Sequence, residues 1–340
     1  MLIDSSLTKS IAETKPAAAA IEAGGYDGLW VGETKHEPFL QLLHAADATE
    51  HLTIGTSIAI AFGRSPMTLA NAAYDLAQYS RGRFVLGLGS QVKPHIERRF
   101  SMPWSHPAPR MREMVLAIRA IWASWQDGEK LDFSGEFYTH TLMTPFFSPA
   151  PHQFGTPPIY LAGVGSLMTE VAGEVADGFF FHPFTTDRYL RDVTLPALTK
   201  GREAAGKEGL AGFVVAGPAF ICVGRDDAEL ATAVKGTKDQ IAFYASTPAY
   251  RPVLDLHGWG DLQPELTRLS KEDRWSDMGD AIDDEILQSF AVVGGPDEVA
   301  KGLQGRWGEV ADRITLYATY PSDPAIWPAV VQALRANGSA

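Results

Sequence analysis

Short apolar runs recur along this chain, each followed by a stretch with helical spacing. Residues 2–4, 28–31, 52–60, 85–88, 158–162, 179–181, 212–223 and 313–317 read as strands. Most are apolar throughout rather than alternating, the pattern of parallel strands buried on both faces. Helices are expected over 12–25, 38–50, 66–79, 110–126, 166–176, 188–205, 226–245 and 324–336, with further helical stretches over 282–290 and from 292 onward. Pro66 and Pro296 suit the first turn of a helix, and Gly24-Gly25 suits a helix end. Eight strands alternating with helices predict a closed (β/α)8 TIM barrel rather than an open sheet.

Two segments break this rhythm. Residues 127–157 carry scattered Gly, Pro and aromatic residues and are expected to leave the barrel, with a small hairpin near Ser134-Gly135. Residues 246–284, between strands seven and eight, are rich in Pro, Gly, Trp and charge and too long for an ordinary connection. They read as an insertion that forms a lid or substrate wall, with Tyr250, His257 and Trp259 as substrate contacts. The whole of 1–340 is expected to be a single barrel domain.

Composition narrows the function. A formal charge of −12 with no basic block argues against a nucleic-acid or anionic-membrane partner, but not against an anionic ligand. The only cysteine, Cys222, sits in an apolar run and reads as core. No signal peptide or membrane span is expected, which points to the cytoplasm. No paired-histidine motif suggests a metal.

Candidate chemistry gathers after the strands. The stretch Gly82 to His95 passes from a buried strand to Gly87, Gly89, Ser90, Gln91, Lys93 and His95. Gly163-Val164-Gly165-Ser166 joins a strand to a helix start, where free N–H groups and the dipole suit a phosphate, or else make only a tight turn. Neither glycine cluster completes a dinucleotide fingerprint. His36, His95 and His182 lie just beyond strands two, four and six, so a barrel would set all three on its carboxyl face.

Residues 23–33, 53–58, 82–89 and 159–165 together resemble the luciferase-like monooxygenase superfamily over nearly the whole chain. Phe39, Arg64-Ser65-Pro66 and residues 91–100 look most like its F420-dependent oxidoreductase branch. The resemblance implies a luciferase-like barrel that binds coenzyme F420, with FMN as the alternative, and acts on a small organic substrate as a homodimer. It implies a cis peptide at Ser57–Ile58 against the back of the ring, a phosphate at Ala162, Gly163, Val164, Gly165 and Ser166, and a loop beside the cofactor at Gly89, Ser90 and Gln91. It also places Glu33 near the ring. Related sugar-phosphate dehydrogenases have histidine where this chain has Thr34, and a catalytic glutamate where it has Gln91. Their activity is therefore not expected, and the proton is expected from His36 or His95. The alternatives are an FMN-dependent monooxygenase and a flavin-binding protein without catalysis.

Overall fold

The structure, a computed structural model, describes residues 1–338. Its strands are β1 (Leu2–Leu7), β2 (Gly28–Val31), β3 (Thr53–Thr56), β4 (Ala59–Ile60), β5 (Phe84–Gly89), β6 (Phe133–Ser134), β7 (Thr139–His140), β8 (Ile159–Ala162), β9 (Gly178–Phe180), β10 (Val214–Val223), β11 (Ala291–Gly294) and β12 (Arg313–Tyr317). Its helices are α1 (Thr14–Ala23), α2 (Pro38–Ala48), α3 (Pro66–Tyr79), α4 (Lys93–Arg98), α5 (Pro107–Gln126), α6 (Ser166–Val175), α7 (Asp187–Tyr189), α8 (Leu195–Ala204), α9 (Asp227–Ala245), α10 (Arg251–His257), α11 (Leu262–Lys271), α12 (Trp275–Asp280), α13 (Asp284–Phe290), α14 (Pro296–Trp307) and α15 (Ile326–Gly338). A turn of π-helix (Leu190–Thr194) joins α7 to α8.

The strands close into the expected parallel barrel. β1 pairs with β2 and β12, β2 with β3, β3 and β4 with β5, β5 with β8, β8 with β9, and β10 with both β9 and β12. Strand β2 is buried at every position, as a strand flanked by helices outside and packed side chains inside must be. The third strand, expected to run unbroken over 52–60, is two pieces. Its ladder breaks at Ser57–Ile58, whose peptide is cis, and resumes where Ala59 and Ile60 pair with Leu88 and Gly89.

The barrel interior is plugged with side chains. Trp30, Val85, Tyr160, Phe180 and Ala216 form one buried cluster, with the Trp30 and Phe180 rings edge to face at 5.0 Å. Below it Arg313 donates to both carboxylate oxygens of Asp4, at 2.7 and 2.9 Å, and Trp30 Nε1 donates to the same carboxylate at 2.8 Å. That pair ties the first barrel strand to the last. Gly28 leaves room for it, since a Cβ there would lie 2.4 Å from the Arg313 guanidinium.

Three further differences from the expected elements have local causes. Val292 and Val293, read as the lead into a helix, form β11, which pairs with Phe220 to Val223 at the far end of β10; the helix waits for Pro296. The loop expected from 90 to 109 contains α4, whose apolar side is Ile96. The 127–157 excursion does hold a small hairpin, β6 and β7, and Glu113 of α5 accepts the N–H groups of Glu136, Phe137 and Tyr138 at its turn. The 246–284 insertion is largely helical. Leu254, Leu266, Leu269 and Met278 from α10, α11 and α12 are buried with Ile241, Ala242 and Ala245 of α9.

Candidate functional site

A cavity of about 980 Å³ opens at the carboxyl end of the barrel. Apart from Glu33, the residues that the resemblance sets beside the cofactor line it: Ser57 and Ile58 after β3, Gly89, Ser90 and Gln91 after β5, and Ala162 to Ser166 after β8. These stretches are far apart in sequence and meet because parallel strands all end on one face. Ile58 packs against Gly89, where a Cβ would lie 2.8 Å from its Cγ1. The Ser90–Gln91 turn holds itself: Gln91 has φ 58°, and its amide oxygen accepts from Val92 N–H at 3.0 Å.

The 163–166 turn fits an anion. Gly165 has φ 85° and caps α6, and Ser166, Leu167 and Met168 of that helix's first turn line the cavity. The first N–H groups of a helix have no partner within it and lie at its positive end. The carbonyl of Gly165 is taken by Thr169, whose Oγ1 donates to it at 3.0 Å. Gly163 leaves space for Met168, whose Cγ would lie 2.5 Å from a Cβ there. A tricyclic ring with a phosphorylated side chain therefore finds room, an apolar backing at Ile58 and an anion seat in one cavity.

The rest of the cavity wall includes residues from later in the chain. Phe181, His182 and Pro183 follow β9, Pro218 lies on β10, and Thr247, Ala249 and Tyr250 open the insertion. The His182 ring is stacked on Tyr250 at 4.5 Å and meets Tyr244 edge to face at 4.8 Å. Its Nδ1 accepts the N–H of Phe184 at 3.0 Å, and its Nε2 lies 3.0 Å from the Tyr250 hydroxyl. Burial brings the His182 pKa down to about 4, and burial raises that of Tyr250. Both groups are thus neutral near pH 7.

Glu33, His36 and His95 stand outside this cavity. Glu33 serves the backbone beside it. Its N–H donates to Ile58 O at 3.0 Å, and its carboxylate accepts Ile60 N–H at 2.7 Å and Arg64 at 2.5 Å. Arg64 also reaches Glu37, and Arg99 donates to Thr34 O at 2.8 Å, so the 33–37 loop is pinned along the rim with His36 exposed. His95 is exposed because its neighbour Ile96 takes the buried side of α4. Of the expected lid contacts only Tyr250 reaches the cavity; His257 bonds Thr186 Oγ1 and stacks on Trp259.

Residues 3–312 match the family model for the luciferase-like monooxygenases. This chain belongs to that family. Its relatives include an uncharacterized protein of Mycobacterium tuberculosis, 54% identical over 312 residues, which are 92% of each chain. A 5,10-methylenetetrahydromethanopterin reductase of Archaeoglobus fulgidus is 26% identical over 83% of this chain and 82% of the relative. Among solved structures, the coenzyme F420-dependent tetrahydromethanopterin reductase of Methanopyrus kandleri has a TM-score of 0.81 at 17% identity, covering 99% of both chains. Monooxygenases share the same barrel, among them an oxygenating constituent of 3,6-diketocamphane monooxygenase of Pseudomonas putida in complex with FMN.

Luciferase-like sequence motifs led to the first half of the cavity and missed most of the second. Trp104, His106 and Pro107 also line it, and no motif in the sequence marks them as ligand contacts. They stand in the Pro- and Trp-containing run before α5, a visible but unspecific signal. No helix among the described residues is long and apolar enough to cross a membrane.

Proposed function

We propose that this chain is a coenzyme F420-dependent oxidoreductase that moves a hydride between deazaflavin C5 and a small organic substrate. The observation that carries the reading is the convergence of Ile58, the 89–91 loop and the 163–166 turn on a single cavity. A putative coenzyme F420-dependent oxidoreductase of Mycobacterium tuberculosis, 25% identical over 84% of each chain, supports the deazaflavin over FMN. When bound, such a cofactor supplies a two-electron hydride carbon that reacts poorly with oxygen. The chain does the rest. Ile58 would back the ring; Glu33 holds the backbone at Ile58 and Ile60, and Arg64 bonds both Glu33 and the Ile60 carbonyl. The first turn of α6 would seat the phosphate, and Tyr250 and Trp104 form part of the cavity wall. His36 and His95 face solvent and take no part in this arrangement.

The test is a fluorescence titration of the purified protein with F420 and, separately, with FMN. Preference for F420 is the expected result. Preference for FMN turns the reading toward oxygenation, and failure to bind either overturns the cofactor assignment.

A further inference from the structure

The His182–Tyr250 contact has only one consistent set of hydrogens. Phe184 N–H points at His182 Nδ1, so that nitrogen is the acceptor and carries no proton. A neutral imidazole then has its hydrogen on Nε2, directed at the Tyr250 oxygen 3.0 Å away. The tyrosine accepts that bond, which leaves its own O–H hydrogen free to point elsewhere. Tyr250 lines the cavity, so elsewhere includes the cavity.

The titratable groups around His182 leave this arrangement in place. Tyr250 stacks on one face and Tyr244 of α9 meets it edge-on; the Tyr244 hydroxyl is engaged with Tyr317 at 2.9 Å. A second proton on His182 would have to displace the Phe184 N–H from Nδ1. The histidine is therefore a poor proton carrier and a good fixed donor.

We propose that Tyr250, oriented by His182, is the hydrogen-bond donor that the cavity offers to a substrate oxygen, and that the substrate class is a carbonyl compound or the corresponding alcohol. The chemistry rests on the hydride-transfer reading above. With a reduced deazaflavin bound, the carbonyl carbon would take up its hydride as the C=O π pair moves to oxygen. The Tyr250 O–H bond breaks, the alcohol O–H bond forms, and water at the cavity mouth returns a proton to the tyrosinate. His182 Nε2–H steadies the tyrosinate in the interval and keeps its own proton. Tyr250 is the catalytic residue, and His182 is a positioning residue.

The test uses two measurements that do not depend on turnover. The first is imidazole 15N NMR on histidine-labelled protein, with His182 assigned from the signal lost in His182→Gln. A neutral Nε2–H ring from pH 8 to 5 is expected; an Nδ1–H ring, or titration near pH 6.5, overturns the proposal. The second compares binding of acetophenone and α-methylstyrene, which differ by O against CH2. Wild type is expected to prefer the ketone by about 10-fold. Tyr250→Phe should erase that preference and leave α-methylstyrene affinity alone. His182→Gln, which still offers an N–H to Tyr250, should keep it, and His182→Leu should weaken it. Equal binding of the two probes by wild type, or binding of neither, overturns the proposal. F420 titration of the same proteins separates the two readings: a ketone preference without F420 binding removes only the cofactor assignment, and F420 binding without the preference removes only the donor.

Discussion

Gly89 and His182 show how single residues fix the site. An alanine at 89 puts a methyl 2.8 Å from Ile58 Cγ1 and 2.9 Å from Cδ1, so Ile58 must move. Gly89→Ala is expected to weaken cofactor binding about 10-fold or more by fluorescence titration, while urea unfolding shows a loss of about 1–3 kcal/mol, as for overpacking elsewhere. His182 makes a prediction about acid. Its proton binds below about pH 4 in the folded chain and below about 6.5 in the unfolded one. Between those values the unfolded state holds more protons, so stability falls as pH drops through that window, by at most about 3 kcal/mol. Urea midpoints of His182→Gln measured from pH 7 to 4 should fall less steeply than those of wild type. Glycine after a buried strand was a readable sign, because few other residues permit such close approach. The partnership of His182 with Tyr250 was not, since 68 residues separate them and the tyrosine sits in a segment without strand rhythm.

At the scale of elements, the insertion is held by its own core. Leu266 of α11 is fully buried among residues of α9 and α10. Leu266→Ala is expected to cost about 2–5 kcal/mol, and hydrogen exchange should show the larger loss of protection in α10 to α12 rather than in β1, β2 or β5. These helices were hard to see in the sequence. Leu262, Leu266 and Leu269 have helical spacing, but Pro264 and the glycines at 258 and 260 interrupt the pattern, and α12 is short. Strand β11 was invisible for another reason. Two valines before Gly-Gly-Pro favour a strand but make too short a run to mark one, and their pairing partner is on β10, some seventy residues earlier. The barrel strands were legible because burial on both faces leaves uninterrupted apolar runs.

For the molecule as a whole, closure depends on ends that are distant in sequence. Asp4 and Arg313 meet inside the barrel and are both buried. Asp4→Asn keeps the shape and leaves the Arg313 charge uncompensated, which is expected to cost about 3–5 kcal/mol in urea unfolding. An Asp4→Asn, Arg313→Met double variant should recover part of that loss, since the desolvation of the charge goes with it. The cavity wall is also divided by chain order. Ile58, Gly89 to Gln91 and Ala162 to Ser166 all precede β9, whereas His182, Pro218, Thr247, Ala249 and Tyr250 all follow it. The division makes the barrel separable in heredity and in the laboratory: grafting residues 246–284 from one homologue into another exchanges part of the later wall and leaves the earlier one untouched. A chimaera built on that boundary should inherit its cofactor preference from one parent and its substrate range in large part from the other.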